Sequence, residues 1–191
     1  MAVSALARQP ARVDPRVTRT RKLIRNALAS LLAEKNFESV TVQDIAERAT
    51  VNRATFYAHF SDKFALLDAM IREDLAGHLS QGDPLGAGQT RGLLLAVGKS
   101  TFAFVGMHRR CKIDRDFEPQ LQRSMEAELT DFLSARFGHC TSMLVASALV
   151  GAAMSWRHQS PTAPYEPIIA NIVGILVDGV DQRSQSGGLA L

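Results

Sequence analysis

Apolar residues recur along this chain with the 3.6-residue period of a helix, and no stretch shows the strict alternation of a strand. Leu23/Ile24, Ala27/Leu28 and Leu31/Leu32 make a wide stripe on a helix expected from about Val17 to Lys35. Asn36, a residue that tolerates the left-handed region, ends it, and Phe37 follows as a core plug. Val42, Ile45, Ala46 and Ala49 then mark one face of a short helix, with Thr41 and Asp44 spaced as a capping box at its start. After Ala49 the pattern breaks. Asn52 is a good N-cap, and Phe56 and Phe60 stand one turn apart on a second helix only about 10 Å long. Ser61 is the expected cap of a longer helix running to about Leu79, with Phe64, Leu67, Ile71 and Leu75 facing inward.

Beyond the turn-rich segment QGDPLGAG at 81–88, four more helices are expected, over about 90–108, 117–137, 141–156 and 166–181. The last two differ in composition from the rest. Ser147, Gly151 and Ser155 place small residues four apart, with Ala148 and Ala152 beside them. The final helix has two adjoining apolar rows, Ile168, Ile172, Leu176 and Val180 next to Ile169, Val173 and Val177. That is more apolar surface than one neighbour needs, and two such helices from each of two chains can form a four-helix bundle. The interface expected is therefore Ser147, Ala148, Gly151, Ser155, Ile168, Ile169, Ile172, Val173 and Leu176. The chain reads as all-α, with a basic arm over residues 1–15 and a helix-turn-helix domain over 16–63. A connecting helix over 64–80 leads to a helical domain over 81–191 that carries the dimerisation helices.

Two short helices joined by a turn, the second polar on its outer side, form the arrangement that enters a DNA major groove. Reading DNA takes phosphate contacts for position and base-edge contacts for sequence. Arg53 suits guanine O6 and N7, and Ala54 and Thr55 are small enough to bring the backbone close to a thymine methyl. Tyr57, His59 and Lys63 suit phosphate oxygens, while Thr41, Gln43 and Asn52 border the same groove. Arg19, Arg21 and Lys22 sit at a helix N-terminus, where cations oppose the helix dipole, so a phosphate backbone nearby is the expected reason.

The segments TVQDIAERA, VNRATFYAHF and DKFALL resemble the DNA-binding half of the TetR (tetracycline-repressor-like) family of bacterial transcription regulators, over roughly the first 75 residues. The resemblance implies a repressor that dimerises through its last two long helices, binds a pseudo-palindromic operator and releases it when a small-molecule effector binds. The family usually has Gly where Thr50 and Asn36 stand, and often Ser and Gly where Asn52 and Ala54 stand. Thr50 is the departure that matters, because a β-branched residue is costly at positive φ.

Charge supports the reading. Residues 1–63 hold eleven Lys/Arg against six Asp/Glu, and the remainder eleven against thirteen, within a net charge of +3. A basic first third on a mildly acidic remainder suits a polyanionic partner. Arg8, Arg12 and Arg16 in or beside the arm could reach a minor groove. No secretory signal opens the chain, the apolar stretch 143–154 is short for a membrane span, and two cysteines make no disulfide framework, so a cytoplasmic protein is expected. The catalytic signatures of hydrolases, nucleotide-binding enzymes and zinc proteases are missing, and no cofactor is expected. Phe102, Phe104, Met107, Met125, Phe132 and Trp156 are the candidates to line an effector pocket. The alternative is a metal- or redox-responsive regulator using His108, Cys111, His139 and Cys140; a helical interaction protein that reads no DNA is a remoter one.

Overall fold

The structure, a computed structural model, describes residues 14–81, 90–108, 114–159 and 163–185. The basic arm up to residue 13, Cys111 and most of the 81–88 turn segment lie outside these residues. Helix α1, Pro15–Glu34, is capped by Asp14, whose side chain accepts from the Arg16 N–H, and opens on proline at its first position. Its buried face is Ile24, Ala27, Leu28 and Leu31, narrower than the paired apolar pattern suggested; Leu23 is 43% exposed. A 3₁₀ turn follows at Phe37–Ser39, and Asn36 is extended (φ −65°, ψ 145°), not left-handed. Then come α2, Val42–Arg48, and α3, Arg53–Tyr57.

Helix α4, Lys63–Gln81, is capped by Asp62, not by the expected Ser61: the Asp62 carboxylate accepts the Ala65 N–H at 2.8 Å. It buries Leu66, Leu67, Ile71, Leu75 and Leu79 and connects the two halves. Helices α5 (Thr90–Met107), α6 (Phe117–Phe137), α7 (His139–Gln159) and α8 (Glu166–Gln185) make the second half. α6 and α7 form a hairpin through Gly138, whose φ of 72° is a conformation that glycine adopts at no steric cost. α4 packs on α6, and α5 packs against α7 and α8. A Cβ at Gly98 would fall 2.7 Å from Ile169 Cγ2, which shows how closely α5 and α8 approach. By length and apolar composition alone α7 could cross a membrane, but Val145, Ala146, Leu149, Val150 and Ala153 are buried in the bundle.

A small polar site lies where the first domain meets α6. Asp114, 8% exposed, accepts the Phe117 and Asp116 N–H groups at 2.7 and 3.0 Å, capping α6. Its other oxygen accepts the Glu38 N–H at 3.1 Å, from the 3₁₀ turn of the first domain. Phe117 lies edge-on to Phe37 beside it. Asp114→Ala leaves three N–H groups without this acceptor, two of them at the start of α6. A loss of about 2–3 kcal/mol is expected, read as a lower midpoint in urea unfolding followed by circular dichroism.

Candidate nucleic-acid interface

α3 has five helical residues, too few to be stable alone, so neighbours must hold it. Phe56 is completely buried and Phe60 is 4% exposed, their rings 6.0 Å apart under the helix. The Asn52 side chain caps the start, accepting from the Thr55 N–H at 2.6 Å and the Thr55 hydroxyl at 2.9 Å. This anchoring leaves Arg53, Ala54 and Tyr57 exposed, with His59 half-buried. The Arg53 guanidinium lies 6.0 Å from the Tyr57 ring centroid. Thr55 and Asn52 are thus engaged in the cap rather than free on the outer face.

α2 is held more firmly. Thr41 and Asp44 form the full capping box, and Lys35 adds an ammonium 2.8 Å from the same carboxylate. The hydrogen bond from Lys35, followed by those from Thr41, holds the Asp44 carboxyl down to about 2. Gln43 is exposed and donates to Glu47 one turn on. At the other end of the domain, the Arg21 guanidinium lies 4.6 Å over the Phe60 ring, so α1's early turns adjoin the exit of α3. Arg16, Arg19 and Lys22 are exposed on those turns.

Lys63 departs from expectation. Its ammonium donates to the carbonyls of Phe37, Glu38 and Val40 at 2.9, 3.1 and 3.0 Å and stands 4.6 Å from the Phe37 ring centroid. An ammonium has three donors, and all three are used here. Lys63 is a structural tie, not a phosphate contact.

The turn between α2 and α3 keeps the left-handed residue: Thr50 has φ 56°. The Val51 N–H reaches the Ala46 carbonyl at 2.9 Å and the Thr50 N–H reaches that of Glu47 at 3.1 Å, the paired bonds of a Schellman motif. The motif is built from backbone groups, so threonine can complete it, at a conformational cost of about 1–2 kcal/mol.

In the second half, Phe104 and Met107 line a cavity with α4, whereas Phe102 and Trp156 stack with Tyr165 as core. Met125 is fully buried and Phe132 half-buried against the same core. Of the expected interface, Ser147, Gly151 and Ser155 are exposed, and Ala148, Ile168, Ile172 and Leu176 half-buried. Ile169 and Val173 are corrected: at 1% and 0% exposed, they face the chain's own core, and α8 packs on α5. The outward row instead includes Ile175, 67% exposed, and on α7 Leu144 and Met143, 60% and 52% exposed. Leu144 precedes Ser147 by three residues and Ile175 follows Ile172 by three, so helical spacing would have found both. Among the described residues no three His, Cys, Asp or Glu side chains could hold a metal ion. The His108 Nδ1–H donates to the Phe104 carbonyl at 2.9 Å, and Cys140 is exposed.

An anchored short helix with an exposed cationic and aromatic face, on a capped partner helix, defines a helix-turn-helix protein with a helical second domain. Residues 24–70 match the family described as bacterial regulatory proteins, tetR family. Two uncharacterised helix-turn-helix transcriptional regulators of Bacillus subtilis are similar: YxbF, 40% identical over 65 residues, and YdeS, 48% identical over 59. These alignments cover 34% and 31% of this chain, but only 17% and 30% of the relatives' own lengths. The fold as a whole is similar to that of the Thermus thermophilus TetR-family repressor FadR, solved with lauroyl-CoA. The TM-score is 0.62 at 17% identity, over 83% of this chain and 94% of that one. The likeness to the tetR family thus rests on residues 24–70, and over the second half of the chain it is a likeness of fold alone.

Replacing Thr50 by glycine removes the left-handed penalty while adding unfolded-state entropy. A net gain of about 1 kcal/mol is expected, seen as a higher melting temperature with DNA affinity unchanged.

Proposed function

We propose that this chain is a homodimeric repressor that reads a pseudo-palindromic operator and is released from it by a small molecule. The observation that carries this is the exposed Arg53–Ala54–Tyr57 face on a helix locked from below by Phe56 and Phe60. Arg53 then reads a guanine edge, Tyr57 and His59 meet phosphates, and Thr41 and Gln43 border the groove from α2. Arg16, Arg19 and Lys22 at the start of α1 add phosphate contacts beyond those read from the helix-turn-helix itself. The small residues of α7 and the outward row of α8 supply the dimer contact, pairing two α7–α8 units about a two-fold axis. Half-sites then lie about one helical turn (~34 Å) apart. The FadR relative solved with an acyl-CoA is consistent with an effector role for the second domain. Effector and DNA weaken each other reciprocally, typically by about 1–3 kcal/mol. The family's regulators are soluble and cytoplasmic, and the same is proposed for this chain.

Operator sequences selected from a random duplex pool by the full chain provide the assay. Arg53→Ala should cost about 1–3 kcal/mol on the selected site and relax preference at one base pair. Equal losses on selected and random DNA would make Arg53 a phosphate contact and remove the reading helix from the proposal. Ile175→Glu places a charge on the outward row without touching the chain's own core. It should yield monomers in light scattering, with DNA affinity reduced; dimers persisting at micromolar concentration would put the interface elsewhere.

A further inference from the structure

α4 carries a glycine that packing does not require. A Cβ at Gly77 would meet nothing within 4 Å, although glycine is among the least favourable residues inside a helix. The open space beside it belongs to a cavity of about 510 Å³ between α4 and the end of α5. One wall is the His108 ring, backed by buried Phe104 with ring centroids 4.4 Å apart. The His108 Nδ1–H is given to the Phe104 carbonyl, so Nε2 is left as an acceptor, and burial holds the ring's pKa below its usual value. Met107, 56% exposed, adds an apolar surface.

The remaining wall is His78, edge-on to Phe104, and two carboxylates. Glu73 and Asp74 are roughly half exposed, at 48% and 43%. Both are engaged by a single guanidinium, Arg25 of α1, which donates to Asp74 at 2.7 Å and also to Glu73. Arg21 comes only to 3.9 Å of Glu73, its guanidinium lying over Phe60. Two carboxylates thus share one close counter-ion, and these carboxylates and Nε2 can only accept hydrogen bonds from a ligand.

We propose that this cavity is the effector site and that it takes a protonated aromatic amine. The ammonium binds Glu73 and Asp74, while the flat apolar body lies against Met107 and His108 in the space that Gly77 leaves. This rests on the effector-released regulator reading above. The carboxylates that hold the ligand are the ones that tie α1 to α4 through Arg25. An ammonium placed there competes with Arg25 and loosens α1, so amine and DNA oppose each other.

Three indoles of matched shape test the charge: tryptamine (cation), tryptophol (neutral) and indole-3-acetate (anion). Titration calorimetry of the full chain at pH 7.5 and low salt should show tryptamine binding at least about tenfold more tightly than the other two. Glu73→Gln or Asp74→Asn, both changes of half-exposed side chains, should erase most of that preference. Gly77→Leu should abolish binding while the melting temperature stays equal or rises. Equal binding of the three indoles, no binding of tryptamine, or unchanged tryptamine binding by Gly77→Leu overturns the site. Tryptamine that binds as expected but leaves affinity for the selected duplex unchanged keeps the site and overturns the release mechanism.

Discussion

One ammonium group joins the parts of this molecule that must stay in register. Lys63 is the first residue of α4, and it donates to three carbonyls of the turn that leads into α2. Those carbonyls would otherwise need water or other donors, and the lysine, seated over the Phe37 ring, satisfies all three at once. Asp114 takes an N–H from the same turn and caps α6 with its other oxygen. The entrance to α2, the start of α4 and the start of α6 therefore meet at Phe37–Val40. The placement of α2 and α3 against the second domain depends on this junction.

From that junction α4 runs as a beam with ties on two sides. Arg25 of α1 holds Glu73 and Asp74, and Arg72 reaches across to Glu128 and Asp131 of α6. The Ser124 hydroxyl of α6 donates to Asp68 at 2.6 Å. Partly exposed ion pairs each contribute little net stability, about 0–1 kcal/mol. Their value here lies in alignment, since they fix how α1 and α6 sit along α4. The apolar stripe beneath, Leu66 to Leu79, is close-packed and passes on a displacement instead of absorbing it.

Helix α3 shows how little polar chemistry a five-residue element can spare. Asn52 and Thr55 are engaged in its cap, and Phe56 and Phe60 in its anchor, leaving Arg53, Ala54 and Tyr57 to face outward. Thr50 accepts a left-handed backbone because the bonds that set the α2–α3 angle come from peptide groups, whatever the side chain. Strain at one residue preserves the angle between two helices.

Much of this was legible in the residue pattern. Period, caps and turn residues placed α2, α3 and α6, the capping box at Thr41, and the buried pair Phe56 and Phe60, because each depends on contacts within a few residues. The outward polarity of Arg53 and Tyr57 followed from the same local spacing. What the pattern could not reach were choices between distant partners. Lys63 had the chemistry for a phosphate or for carbonyls, and only the approach of Phe37–Val40 decided it. The two apolar rows of α8 were equivalent in composition, and it was α5, packed through Gly98, that turned Ile169 and Val173 inward and left Ile175 outside. Periodicity states that a face is apolar, while the neighbour that covers it is set by the long-range packing of the whole chain.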